Sequence, residues 1–98
     1  MNIQVLQIRH LAGDRSLKAF VDLRIGEWII HGWRIVKKEG HRAQVSVPQV
    51  SWRNPEGKVQ YRALLTIPGK LRQRIEVAIL SAWEKEKSNE PKNIRGNN

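Results

Sequence analysis

Residues 17–25 place an apolar side chain at every second position, and this alternation constrains the fold more than any other feature of the sequence. The apolar residues are Leu17, Ala19, Val21, Leu23 and Ile25, with Lys18, Asp22 and Arg24 between them. A repeat of two residues is the side-chain alternation of a β-strand in a sheet with one buried face. Phe20 is the one apolar residue that breaks the pattern.

Further strands are expected on both sides of this one. Residues 3–8 alternate weakly, residues 28–36 form an apolar run, residues 43–47 alternate up to Pro48, and residues 59–65 alternate again. Residues 48–58 are predicted to be a loop. It contains Asn54-Pro55-Glu56-Gly57, in which proline suits the second turn position and glycine tolerates a positive φ, so the chain should reverse there.

The run from 28 to 36 is apolar at odd and even positions, so it requires cover on both faces of the sheet. One helix can cover only one face. The simplest way to bury the other face of the sheet is a second subunit in a C2 dimer. The alternatives are a short helical tail or curvature of the sheet. The predicted dimer interface consists of Trp28, Ile30, Trp33 and Ile35.

One helix is predicted near the C-terminus. Leu71, Ile75, Ala78, Ile79, Ala82 and Trp83 fall on one side of a helix, and Pro68 suits its first turn. The polar residues 88–98 are predicted to be a disordered tail. The sequence therefore predicts one α+β domain over residues 1–87, with an antiparallel sheet of about five strands and one C-terminal helix packed on it.

Charge and composition narrow the function. The 98 residues carry 18 Lys and Arg against 9 Asp and Glu, a net charge of +9, and residues 34–62 hold 7 of the basic groups and 2 of the acidic ones. Such a surplus favours a polyanionic partner, nucleic acid before anionic membrane. The absence of cysteine excludes disulfides and thiol chemistry. The N-terminus has neither the basic nor the apolar region of a signal peptide, so a soluble, cytoplasmic protein is expected.

The candidate nucleic-acid contacts fall in three places. Lys37, Lys38 and Arg42 lie on strands and turns of the basic middle third, with Arg53 and Lys58 further along it. Lys70, Arg72 and Arg74 begin the helix, where the macrodipole is already positive and acids would be the stabilising choice, so an anion is expected there. Trp52 is the tryptophan most suited to stacking on an unpaired base. The competing interpretations are a solvated basic surface and, for Trp52, a loop anchor.

No catalytic or metal-binding motif stands out. His10, His31 and His41 lack acidic neighbours at metal-ligand spacing, and the seven glycines form no phosphate-binding loop. His31 in a deep pocket with a carboxylate would revive an enzyme hypothesis. We expect no enzyme, no metal and no cofactor.

Several segments together resemble the stage V sporulation protein G (SpoVG) family. They are the runs at 18–21 and 28–36, the latter ending in His-x-x-Arg-Ile-Val, then Pro48, then Pro55-Glu56-Gly57, and a basic helix start at Arg72 and Arg74 leading to Ala78-Ile79-Leu80. The likeness spans residues 3–84. In that family the basic pair for nucleic acid lies just before the Pro-acid-Gly turn. Here Trp52 occupies its first position and Arg53 its second.

The resemblance implies a homodimeric bacterial septation and sporulation regulator that binds DNA at specific sites and can also bind RNA. The function expected from the sequence is therefore transcription regulation by nucleic-acid binding through Arg53, Arg72 and Arg74, assisted by Lys58, Lys37, Lys38 and Arg42, with Trp52 or Arg53 contacting bases. The alternative is a protein-interaction module of the cell-division machinery that does not bind nucleic acid directly.

Overall fold

A computed structural model describes residues 2–13 and 15–88 and has an α+β architecture. The elements are β1 (Ile3–His10), β2 (Leu17–Ile25), β3 (Trp28–Val36), β4 (Gln44–Ser46), β5 (Gln49–Arg53), β6 (Val59–Ala63) and α1 (Gly69–Ser88). Strands β1 to β4 form an antiparallel sheet in chain order, and β5 pairs with β6 in a separate hairpin. The α+β class with one C-terminal helix is confirmed, but the expected single sheet is divided into two.

A β-bulge in β3 explains why this strand is apolar at both odd and even positions. Val21 pairs with Trp33 and Leu23 pairs with Ile30, so the pairing register shifts at His31 and Gly32. Gly32 has φ +89°, a conformation that glycine adopts without steric cost. Because of the shift, Ile30 and Trp33 both pair with residues of the buried face.

The bulge therefore overturns the argument that residues 28–36 need cover on both faces. Trp33 and Ile35 are 1% and 0% exposed and lie in the core of the single chain. They cannot reach a second subunit, which corrects half of the predicted dimer interface. Ile30 is half-buried, and only Trp28, 74% exposed at the end of β3, is a prominent surface residue of that set.

A second bulge aligns β1 in the same way. Ile3 pairs with Ile25, Val5 with Leu23 and Ile8 with Val21, and Leu6 is the extra residue that the register skips. Ile3, Val5 and Ile8 consequently pack with the core, while Leu6 is exposed. The irregular alternation in this part of the sequence is the signature of that bulge.

Helix α1 covers one face of the four-stranded sheet. Ile75, Ile79 and Trp83 are its buried residues, and they pack with the apolar residues of β1 to β4 as predicted. The helix begins after Pro68, whose carbonyl accepts the first helical hydrogen bond from the Arg72 amide at 2.8 Å. Pro68 thus precedes the first turn instead of lying within it. No helix in the described part of the chain has the length and apolarity needed to cross a membrane.

The β5–β6 hairpin occupies part of the segment predicted as a loop. Residues 49–53 form β5, and only the connection to β6 is a turn. The predicted reversal at Asn54-Pro55-Glu56-Gly57 is confirmed, since the Gly57 amide donates to the Asn54 carbonyl at 2.8 Å and Gly57 has φ +84°. Residues 89–98 of the predicted tail lie outside the described residues.

Candidate nucleic-acid interface

The tip of the β5–β6 hairpin is built by Asn54. Its side-chain oxygen accepts hydrogen bonds from the amides of Glu56 and Lys58, at 3.0 and 2.9 Å, which holds the turn closed. The Arg53 guanidinium donates to the Gly57 carbonyl at 2.8 Å across the same turn. Arg53 and Lys58 are both exposed, so the hairpin tip presents two cations to solvent on an ordered turn.

The hairpin separates the two residues expected to contact bases. Trp52 and Arg53 are consecutive in β5 and pair with Gln60 and Val59 of β6. Since consecutive strand residues point to opposite faces, the Trp52 ring and the Arg53 guanidinium project from different sides of the hairpin. The Trp52 ring is 48% exposed, which agrees with the expectation of an accessible ring and not with a buried loop anchor.

Cations also gather in and beside the turn between β3 and β4, at what we call the basic end of the sheet; Lys38 and Arg42 are exposed there, and Lys18 and Lys37 are half-buried. Lys37 and Lys38 line a shallow cavity with Lys18 and one acid, Glu39, and Lys38 and Arg42 line the next one with His41. The turn is held by a hydrogen bond from the His41 amide to the Lys38 carbonyl at 2.9 Å. The predicted set of Lys37, Lys38 and Arg42 is therefore brought together by the fold.

Lys18 was not among the sequence-predicted site residues. It lies at a register shift in the pairing of β2 with β3, because Leu17 pairs with Val36 while Ala19 pairs with Ile35. Its position beside Lys37 depends on that long-range pairing. The alternating sequence of β2 does not indicate that Lys18 lies beside Lys37. Only the register between β2 and β3 shows this.

Arg72 and Arg74, the two arginines predicted to contact nucleic acid at the start of the helix, lie on different sides of α1. The Arg72 Nε donates to Glu76 Oε2 at 2.9 Å, and its Nη2 donates to the Val45 carbonyl of β4 at 3.3 Å. Arg72 thus links the helix to β4 and has an acid one turn later, a spacing visible in the sequence. Arg74 lies about 200° further around the helix and lines a shallow groove with Lys70 and Ile3. No acid occupies the first turn of α1.

Arg72 is accordingly expected to stabilise the fold as well as add charge. Replacing Arg72 with alanine removes both contacts, and we expect the free energy of unfolding to fall by about 1 kcal/mol, because the pair is exposed and the carbonyl contact is only part-buried. The change corresponds to a melting temperature about 4–8 °C lower for a domain of this size.

Thermal unfolding followed by circular dichroism measures this change. The matched control is Lys70→Ala, which removes an exposed cation from the same helical region and should alter stability by less than about 0.5 kcal/mol. Equal melting temperatures for the two variants would show that the Arg72 contacts do not contribute.

Arg42, Arg72 and the base of the hairpin lie along the outer strand β4, at what we call the β4 edge. Arg42 precedes β4, and Arg72 donates a hydrogen bond to the Val45 carbonyl within β4. The base of the hairpin follows β4. There the Leu64 amide donates to the Pro48 carbonyl at 2.9 Å. An extended chain rises about 3.3 Å per residue, so the stretch from Arg42 to Pro48 covers roughly 20 Å. This length matches roughly six base pairs of duplex DNA at 3.4 Å each.

Two of the three histidines have carboxylate partners, one from the distant helix α1 and one from the neighbouring strand β2. His10 Nε2 lies 2.6 Å from Glu86 Oε1, and His31 Nδ1 lies 3.2 Å from Asp22 Oδ1. The His31 side chain is 73% exposed, so this pair lies on an open surface and not in a deep pocket. Among residues 2–13 and 15–88, no three His, Asp or Glu side chains are grouped as a metal site would require.

Comparison with protein-family models and with curated proteins found no match to this sequence.

Proposed function

We propose that this protein is a cytoplasmic, homodimeric regulator that binds nucleic acid through the β4 edge and the hairpin tip. The observation that carries the proposal is the collection of cations at the basic end, along the β4 edge and at the hairpin tip of a chain with a net charge of +9. Lys38, Arg42 and Lys58 would contact phosphates there, assisted by Lys37, Arg53 and Arg72, while Arg74, which lines the groove beside Ile3 of β1, would add a phosphate contact away from that edge. Exposed cations on ordered turns suit phosphate contacts because the turns hold the backbone positions of these residues before the ligand binds.

The resemblance to the SpoVG family supports the same proposal from separate features of the sequence. It adds regulation of septation and sporulation as the process, and it adds specific DNA sites and RNA as ligands. The separate features are the strand segments, in which charge plays no part, whereas Arg53, Arg72 and Arg74 enter both arguments. Trp52 would stack on a base while Arg53, on the other face of the hairpin, would contact a phosphate.

Fluorescence anisotropy tests the proposal directly. Purified protein is titrated against labelled duplex DNA and single-stranded RNA at several salt concentrations. Micromolar or tighter binding is expected, with log affinity falling by about 0.9 per phosphate contact for each tenfold rise in salt on duplex DNA. Absence of binding to either ligand at low salt would exclude the nucleic-acid function.

The exposed apolar side chains of the hairpin favour the alternative, a protein-interaction module of the division machinery. Val50, Val59, Tyr61 and Leu64 are 44%, 43%, 62% and 61% exposed. Apolar groups of this size contribute little to phosphate binding and much to a protein contact. A partner retained from a lysate after nuclease treatment would support this second function.

The same side chains direct the proposed dimer contact to the hairpin. Eight of its ten strand residues are exposed, and a two-stranded hairpin alone is marginally stable in water. A second hairpin packed against the face that carries Val59 and Tyr61 would cover those two residues symmetrically. The β3 residues Trp28 and Ile30 form the competing contact.

Replacing Tyr61 with lysine is expected to convert the dimer to a monomer, because a charge would be buried without a partner at the centre of the contact. Light scattering after size-exclusion chromatography gives the mass. Trp28→Lys serves as the control and should leave the dimer intact. Dissociation by Trp28→Lys instead would place the contact on β3, and a monomeric parent protein would exclude the dimer.

A further inference from the structure

The face of the four-stranded sheet opposite α1 carries an ordered row of cationic and aromatic side chains. Arg9 of β1, Phe20 of β2 and Arg34 of β3 are directly paired across the three strands. Phe20 lies between Ala19 and Val21, and both of these are 0% exposed on the helix side. The row therefore lies on the other side, which we call the open face.

The row is held by contacts between its members. The guanidinium carbons of Arg9 and Arg34 lie 5.9 and 5.4 Å from the centroid of the Phe20 ring, within the range of cation–π interactions. Phe20 is the one apolar residue that interrupts the alternation of β2, so its place on this face is not required by the core. Core packing does not account for an aromatic ring at this position, so its role should be sought at the surface.

The rest of the open face carries the exposed apolar side chain of Ile29, which is paired with Arg24, and its charged groups are predominantly cationic. Arg24 lies between the buried residues Leu23 and Ile25 and is exposed on this face. The acidic residue that β2 contributes to the open face is Asp22. The distance from its Oδ1 to His31 Nδ1 is 3.2 Å. Three arginines against one paired aspartate make this face complementary to a polyanion.

We propose that the open face binds single-stranded nucleic acid, with an unpaired base stacked at Phe20 and adjacent phosphates on Arg9 and Arg24. The inference rests on the proposed nucleic-acid function and assigns its single-stranded ligand to a second surface, separate from the β4 edge. A flat sheet presenting an aromatic ring and arginine planes suits splayed bases, whereas a duplex keeps its bases stacked inside.

A base that stacks on the Phe20 ring would replace the Arg9 guanidinium there, and this replacement is favourable. Arg9 is exposed, so its guanidinium can leave the ring without opening the core. Stacking of a base on an aromatic ring is stronger than a cation–π contact at an exposed site, and the released guanidinium gains a phosphate. Arg34 is half-buried and remains beside the ring as the fixed member of the row.

The test compares ligands and variants by fluorescence anisotropy. The probes are a short labelled RNA, the DNA strand of the same sequence, and the duplex of that DNA. Phe20→Leu keeps apolar volume but removes the ring, and it is expected to weaken single-strand binding roughly tenfold while leaving duplex affinity unchanged. Phe20→Tyr retains the ring and should bind like the parent protein.

Two further variants guard against a folding defect at Phe20. Arg9→Gln and Arg24→Gln change exposed residues, and each should reduce the magnitude of the single-strand salt slope by about 0.7. Lys85→Gln, on the last turn of α1, is the matched charge control and should change neither ligand's affinity. Thermal melting monitors the folding of each variant.

The outcomes separate this inference from the proposed function. Single-strand affinity unaffected by Phe20→Leu, or equal losses for single strand and duplex, would overturn the open-face site while leaving the β4 edge in place. A parent protein that binds duplex but no single strand would do the same. A parent protein that binds none of the three probes would overturn both.

Discussion

Replacing Trp33 with alanine is expected to lower the free energy of unfolding by about 3–5 kcal/mol, the largest stability effect of any prediction made for this domain. Trp33 is 1% exposed and heads the fully buried side chains by volume. Its removal leaves a cavity between β3 and the core that the bulged strand cannot close by a small shift. Because the free energy of unfolding of a native protein is only about 5–15 kcal/mol, the variant should lose a large part of its stability.

Urea unfolding followed by far-ultraviolet circular dichroism measures the loss. Trp28→Ala is the matched control, because this tryptophan of the same strand is 74% exposed and its removal should cost less than about 0.5 kcal/mol. A larger loss from Trp28→Ala than from Trp33→Ala would contradict the register shift at Gly32. It would also restore Trp33 as a candidate surface residue.

The largest effect on binding is expected from the double variant Arg42→Gln/Lys58→Gln. Both cations are exposed, Arg42 where the basic end meets β4 and Lys58 at the hairpin tip, so their removal tests both parts of the proposed surface. Each lost phosphate contact on duplex DNA reduces the magnitude of the salt slope by about 0.9. The affinity at 0.1 M salt should therefore fall by roughly 50–100-fold, following from a slope change of about 1.8.

Anisotropy titrations of duplex DNA over a range of salt concentrations give both quantities. The control Arg24→Gln/Lys85→Gln removes the same charge from the open face and from the last helical turn, and its duplex slope should match that of the parent protein. If both double variants lose the same affinity, the positive charge acts as a diffuse field and the β4 edge is not a binding site.

The candidate site could be predicted only in part from the sequence. Lys37, Lys38 and Arg42 are close in sequence and remain close in the fold, so local spacing was sufficient for them. Lys18 joins them through strand pairing alone. Arg72 had the sequence features of an anion contact, and its bond to the Val45 carbonyl depends on where α1 packs.

What the sequence by itself determined is the set of local elements. The alternation of β2, the buried stripe of α1 at Ile75, Ile79 and Trp83, and the Asn54–Gly57 turn all follow from side-chain period and from backbone preferences within a few residues. Those preferences act over short distances, so they can be identified without knowledge of the partner strand.

Only the tertiary structure decided which face each strand buries and which charges meet. One extra residue in a strand exchanges its two faces, and the bulges at Leu6 and at His31–Gly32 do so in β1 and β3. They place Trp33 and Ile35 in the core and leave the Arg9–Phe20–Arg34 row on the open face. A register is chosen by the pairing of distant segments and the burial of their common core, and no local pattern contains that information.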